Sequence, residues 1–136
     1  MQTLSQINEA LLALGYETEL GETHIAVKVH SFAAVLSINE SNQLEISCQV
    51  AKVSELNEGK LAAAAFAALD ANTRIAPYAF GIFTADEDGE GGVEEDVIVL
   101  IDSVPLGDFQ KSELESSMDS LVKALLNGRE VLKTGL

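Results

Sequence analysis

Hydrophobic and polar positions along the chain follow two periods, one typical of helices and one typical of strands. Close to the amino terminus, four apolar residues recur at helical spacing: Leu4, Ile7, Leu11 and Leu14. Thr3 and Gln6 have the spacing of a capping box before this segment, and Gly15 follows it as a stop signal. The pattern therefore predicts a first helix between Thr3 and Gly15.

Alternation with a period of two residues follows this helix and predicts a group of strands. Every second residue is apolar between His24 and His30, and the same pattern is clearest over 44–50. Residues 16–20 and 32–38 give two further strand segments. Because the connections between these segments are short, we expect an antiparallel meander.

An alanine-rich segment over 59–70 predicts a central helix that ends near Asn72, since alanine has the lowest cost in a helix. Apolar side chains nearly surround this helix. We expect it to lie on the sheet of its own chain with one side and on a second copy or a client protein with the other. The predicted partner-binding residues on it are Leu61, Ala65, Phe66, Ala68 and Leu69.

The last third of the chain predicts two strands and a helix. One strand covers 78–84, and the continuous apolar run of 97–101 is typical of a buried central strand. The final helix is expected over 112–126, with a capping box from Ser112 to Glu115 at its start.

The complete order is helix, four strands, helix, two strands, helix. It predicts one α+β domain over 1–136, with a single twisted, mainly antiparallel sheet and flanking helices.

Charge narrows the classes of partner. The formal net charge of −14 opposes binding to nucleic acid phosphates and to anionic membrane surfaces. It favours a basic protein partner, although acidity that serves only solubility is an equally ordinary interpretation. Glu17, Glu19 and Glu22, together with the acidic loop over 86–92, are the residues that we expect to steer such a partner.

Cysteine content and hydropathy favour the cytoplasm. Cys48 is the one cysteine, which excludes an intrachain disulfide, and its place on the apolar face of a predicted strand indicates a buried, inert thiol. The first cation is Lys28, so no basic signal-peptide region is evident. No apolar run approaches the ~20 residues of a membrane helix, so we expect no membrane insertion.

The acidic segment after the fifth predicted strand has a partial match to a calcium-binding loop. Asp86, Asp88 and Glu90 stand at positions 1, 3 and 5 of such a loop. Position 12 requires a glutamate, but the residue there is Val97, and the flanking segments are strands. A solvated hairpin loop is the alternative interpretation.

Other reactive residues form no recognisable constellation. His24 and His30 lie on one strand face but about 20 Å apart, too far to share a metal ion. The chain has no nucleophile elbow, phosphate-binding loop or dinucleotide-binding pattern. We therefore predict no catalytic residue and no cofactor.

Two resemblances follow from these patterns. The order of elements resembles the secretion-chaperone fold, whose members include the type III secretion chaperones and are usually dimeric, protein-binding and acidic. Residues 69–82, LDANTRIAPYAFGI, and the helix over 112–126 after 100–106 resemble the YjfI-like family of bacterial proteins. That resemblance implies an adaptor role beside phage-shock-type membrane-stress proteins, with a basic helix of such a coiled-coil protein as partner. It implies no catalytic residues.

Two hypotheses result. The first is a small, acidic, cytoplasmic interaction protein, adaptor-like or chaperone-like, that forms a homodimer and has no catalysis. The second is a ligand-binding or enzymatic domain with a pocket between the sheet and the helices. An apolar interface between helices and sheet favours the first hypothesis, and a deep polar pocket favours the second.

Overall fold

A computed structural model of the chain describes residues 2–86 and 94–136, and it leaves the side chains of 85, 86 and 94 undescribed. Within these residues it contains three α-helices and six strands. They are α1 (Leu4–Ala13), β1 (Glu17–Leu20), β2 (His24–Val29), β3 (Phe32–Ile38), β4 (Gln43–Lys52), α2 (Leu61–Ala71), β5 (Ala79–Asp86), β6 (Glu94–Pro105) and α3 (Lys111–Gly135).

The six strands form one antiparallel sheet in the order β1-β2-β3-β4-β6-β5. Both the predicted α+β architecture and the predicted order of elements are confirmed. Strand β6 lies between β4 and β5, so the apolar run that predicted a central strand does occupy an interior position. Strands β1 and β5 form the two edges of the sheet.

Local turn chemistry closes the two hairpins that join β2 to β3 and β3 to β4. Between β2 and β3, His30 adopts a φ of 54°, and the strands pair directly on either side at Val29 and Phe32. Between β3 and β4, the Asn39 side-chain oxygen accepts hydrogen bonds from the backbone N–H groups of Ser41 and Gln43 at 2.9 and 3.0 Å. These bonds satisfy backbone donors that the ladder leaves free.

All three helices lie on the same side of the sheet, although α2 packs mainly on α3. Inward-facing strand residues share one core with the buried faces of α1 and α3, and Ala64 of α2 packs with the inward-facing Ile98. The main core includes Ile7, Leu11, Ile25, Val27, Leu36, Leu44, Ile46, Leu100, Leu114, Met118 and Leu121. Alternate strand residues therefore face outward on a side that no helix of the described chain covers.

The predicted caps at both ends of helix α1 are confirmed. The Thr3 hydroxyl accepts a hydrogen bond from the Gln6 backbone N–H at 3.2 Å, and the Gln6 side chain accepts one from Thr3 in return. Gly15 has a φ of 95° just after the helix, a conformation that costs glycine little. The chain turns there into β1.

Helix α3 differs from the prediction at both ends. Its N-cap is Gln110, whose backbone N–H donates to the Glu113 carboxylate at 2.9 Å, so the capping box predicted at Ser112 and Glu115 is wrong. The helix also continues through Gly128 to Gly135. Burial of Val131 in the second half, together with packing of Gly128 against Phe80, offsets the low helix propensity of glycine.

Helix α2 begins later than predicted and packs elsewhere. Residues Val53–Glu55 and Glu58–Lys60 form two 3₁₀ turns, and the α-helix itself starts at Leu61. It packs mainly on α3, whereas the sequence predicted that it lies on the sheet. Gly135 of α3 permits this packing, because a side chain there would lie only 3.1 Å from the Cβ of Ala64.

None of the described helices has both the length and the apolarity that crossing a bilayer requires.

Candidate functional site

An apolar groove of about 480 Å³ lies between α2 and the β5–β6 end of the sheet. Four of the five residues predicted on α2 line it, and the strands contribute three large side chains. The residues in question are Leu61, Ala65, Ala68 and Leu69 from α2, with Phe80, Ile82 and Ile98 from β5 and β6. The helix face deduced from spacing is therefore one wall of a real groove.

Large apolar side chains at the mouth of this groove are exposed to solvent. Leu69 is 64% exposed and Ile82 is 62% exposed, one on each wall. Phe66, the fifth predicted residue, does not line the groove, but it is 73% exposed and lies one turn from Leu69 on α2. We call the groove together with Phe66 the α2–β5 surface.

A hydrogen bond fixes the two walls of the groove to each other. Asn72, the C-cap of α2, accepts a bond from the backbone N–H of Phe80 at 2.7 Å through its side-chain oxygen. Among the described residues that line the groove, Asn72 is also the one with a polar side chain. The groove is therefore apolar, and the side-chain oxygen of Asn72 is already hydrogen-bonded.

The predicted acidic residues lie at the opposite edge of the sheet. Glu17 and Glu19 are exposed on β1, and Glu22 is exposed in the turn that follows. Glu17 pairs in register with Lys28 of β2, and with Glu19 it lines an open depression of about 450 Å³. The structure therefore does not bring the acidic residues and the α2 residues together.

A second, polar cleft was not found from the sequence. It lies between β6 and α3, where the buried Ser117 hydroxyl is 3.3 Å from the Tyr78 hydroxyl and donates a long, 3.5 Å hydrogen bond to the Asp102 carboxylate. Burial raises the pKa of Asp102 above its ordinary value, and it raises the pKa of Tyr78 as well.

The signal that could have revealed this cleft is a break in the inward-facing pattern of β6. Ile98 and Leu100 face the core, so Asp102 and Val104 are the next inward positions. Asp102 pairs in register with the buried Ile46 of β4. A carboxylate at an inward position of an interior strand is unusual, but the apolar run that predicts this strand ends at Ile101.

The candidate metal ligands of the sequence do not form a site in the described residues. Asp88 and Glu90 of the calcium-loop candidate, and the side chain of Asp86, lie outside the described residues. His24 and His30 are exposed, and no group of three or more potential metal ligands occurs in the described part of the chain.

Cys48 is fully buried, as predicted. Burial raises its pKa to about 11, so the thiol is protonated at neutral pH.

No protein-family model and no curated protein sequence matches this chain. Its fold does match solved structures. A protein from Methanothermobacter thermautotrophicus has a TM-score of 0.65 and 13% identity, over 97% of this chain and 98% of that one. YbjN from E. coli has a TM-score of 0.62 and 10% identity, over 96% and 90% of the two chains.

The type III secretion chaperone SycH of Yersinia pestis, solved in complex with a fragment of YscM2, has a TM-score of 0.57 and 22% identity. The match covers 90% of this chain and 95% of SycH. At such identities the similarity shows the fold, and the predicted secretion-chaperone-like fold is confirmed. Membership of the YjfI-like family stays a prediction.

Proposed function

We propose that this chain, which has the fold of the secretion chaperones, is a protein-interaction module that forms a homodimer through the α2–β5 surface. In this proposal it has no catalytic centre, and it works in the cytoplasm as an adaptor for a basic protein partner.

The observation that carries the proposal is the exposure of Phe66, Leu69 and Ile82. Water-exposed apolar surface on a folded chain that is continuous over a helix and a strand is typical of an interaction site. The lining of the groove supports binding over catalysis, because the described residues that form it include no carboxylate, histidine or cysteine. The structure of SycH with a fragment of YscM2 gives an example of this fold bound to another protein.

A second copy of the chain is the occupant that we favour for this surface. A helix that lies beside an edge strand can meet the same two elements of another copy across a two-fold axis, which is the commonest symmetry of soluble oligomers. Phe66 and Leu69 of one protomer would then cover the groove of the other. The area that such a contact buries is apolar and unpaired in the single chain.

The acidic edge is the surface that we assign to a basic partner. Glu17, Glu19 and Glu22 are exposed there, and the net charge of −14 attracts cations over the whole molecule. The partner we propose is a lysine- and arginine-rich helix, of the kind that the YjfI-like resemblance implies for a coiled-coil membrane-stress protein.

Sedimentation velocity at micromolar concentration tests the dimer. The wild-type protein should sediment with twice the mass of the 14.4 kDa chain. Leu69→Asp should weaken dimerisation by about tenfold or more, because it places a charge in a buried apolar contact. Leu12→Asp is the matched control: Leu12 is 53% exposed on α1, and the variant has the same charge change.

A wild-type protein that sediments as a monomer would remove the dimer from the proposal. Equal weakening by Leu12→Asp would show that added charge, and not the α2–β5 surface, governs association.

A further inference from the structure

We propose that the cleft between β6 and α3 binds a cationic group, an alkylammonium or a guanidinium, with Asp102 as its counter-charge. This site lies apart from the α2–β5 surface and from the acidic edge, so the proposal goes beyond the proposed function and does not depend on it.

The cleft exists because β5 is offset along β6. Pairing between the two strands begins at Ala79 and Ile101, so the last residues of β6 have no β5 neighbour. The opening beside them has a volume of about 430 Å³. Ser103, Val104 and Pro105 line one side of it.

The opposite wall is rich in hydroxyl groups. Four serines of α3 follow one another at intervals of four, one and three residues, which places them on one face of the helix. These residues are Ser112, Ser116, Ser117 and Ser120. Hydroxyl oxygens accept hydrogen bonds, so this wall can bind the N–H groups of an ammonium or a guanidinium.

The charged groups of the cleft are all of one sign. Asp102 and Glu113 line it, and no lysine, arginine or histidine does so among the described residues. None of the ion pairs in the described part of the chain includes Asp102. The Glu113 carboxylate already accepts the N-cap bond from Gln110. Asp102 is therefore the carboxylate that a cation would neutralise, and pairing a part-buried carboxylate offsets its desolvation.

Other ligand classes fit less well. An anion would meet two carboxylates, and a sugar would find no aromatic ring among the described residues that line the cleft. Tyr78 contributes only its buried hydroxyl, through Ser117. A cation can come from a free amine or from a lysine or arginine side chain of a protein, so the experiment has one probe for each source.

Titration followed by amide NMR spectra tests the site. The probes are agmatine, which has both an ammonium and a guanidinium, and the peptide Gly-Ser-Arg-Ser-Gly, with citrulline in place of arginine as its uncharged control. We expect saturable shifts at Ser103 and Ser117 with at least one charged probe. Shifts with agmatine alone indicate a free amine, and shifts with the peptide alone indicate a protein side chain.

Asp102→Asn should weaken binding by about tenfold or more, since hydrogen bonds to a charged group are the strong ones. Asp119→Asn is the control, because it removes the same charge from an exposed position of α3 outside the cleft, and it should change affinity by less than about twofold. Ser116→Phe is the second variant, for use if Asp102→Asn does not fold. Ser116 is exposed, so the phenylalanine should fill the cleft without disturbing the core, and we expect it to abolish binding.

The proposal is wrong if neither charged probe gives saturable shifts in the cleft. It is equally wrong if Asp119→Asn weakens binding as much as Asp102→Asn does, because general charge attraction would then explain the shifts. The dimer test above is unaffected by either result, because Leu69 lies outside this cleft.

Discussion

Asp102 lies on the face of the sheet that supplies the core, between the inward-facing Leu100 and Val104. Burial raises its pKa, while hydrogen bonds from the Ser103 backbone and the Ser117 side chain lower it, and burial dominates. The folded protein therefore retains this proton to a higher pH than the unfolded chain does. Folding stability falls as the pH rises from the ordinary value of 3.8 through the raised pKa.

Asp102→Asn should consequently stabilise the protein at neutral pH and leave it unchanged in acid. The asparagine stays neutral at every pH, so it avoids the cost of a part-buried charge. Because the carboxylate is only partly buried, we expect a rise in Tm of about 1–3 °C near pH 7 and no difference near pH 3. Circular dichroism melts at both pH values measure this effect.

Asp119→Asn, at an exposed position, should leave both melts nearly unchanged. A lower Tm of Asp102→Asn at neutral pH would mean that the bonds from Ser103 and Ser117 outweigh the cost of burial. A stability gain that comes with a loss of cation binding is the usual sign of a residue retained for function.

At the scale of elements, two glycines of α3 differ in the space that a side chain would have. A Cβ at Gly128 would meet Phe80 at 3.6 Å, an ordinary contact. A Cβ at Gly135 would approach both the Cβ of Ala64 and the side chain of Leu56 to 3.1 Å, a tight contact that requires these neighbours to shift by a few tenths of an ångström. The second glycine therefore permits the close packing of α3 on α2.

Gly128→Ala should raise the free energy of unfolding by about 0.5–1 kcal/mol, because alanine is the better helix former. Gly135→Ala should lower it by about 1 kcal/mol, because the new methyl crowds Ala64 and Leu56 while the gain in helix propensity is small at the last residue of α3. Urea unfolding of the two variants makes the comparison. Equal stabilisation by both would show that the last turn of α3 moves aside without cost.

Periodicity was sufficient to predict the type and order of the helices and strands, since strand alternation and helix spacing are local properties of the chain. It placed β3 at Phe32–Ile38 and the order of all nine elements correctly. Periodicity failed where contacts between residues distant in sequence determine where an element ends or what it packs against. The continuation of α3 past Gly128 depends on packing against Phe80, and the position of α2 depends on Gly135.

The same limit applies to the candidate site. Spacing alone identified the α2 wall of the groove, because residues on one helix face are fixed by local geometry. The other wall depends on which strands end up beside α2, and the order β4-β6-β5 is set by the whole sheet. Phe80 and Ile82 were therefore not predicted as site residues.

At the scale of the whole molecule, the net charge of −14 predicts that partner binding depends on salt. An immobilised lysine-rich amphipathic helical peptide should retain the protein at about 50 mM salt and release most of it at about 300 mM. Glu17→Gln with Glu19→Gln should reduce retention more than Glu40→Gln with Glu130→Gln, a pair of exposed residues away from β1. Retention that does not change with salt concentration would contradict the proposal that charge attracts the partner.

The positions of the two sheet edges have a geometric consequence. With neighbouring strands about 4.8 Å apart, β1 and β5 are separated by about 24 Å. A pair of protomers joined along β5 would carry its glutamate-bearing β1 strands at the two far ends, pointing away from the joint. Such a particle is bivalent, so a client with two basic segments would hold it more tightly than either segment could alone, provided that the linker between them spans the pair.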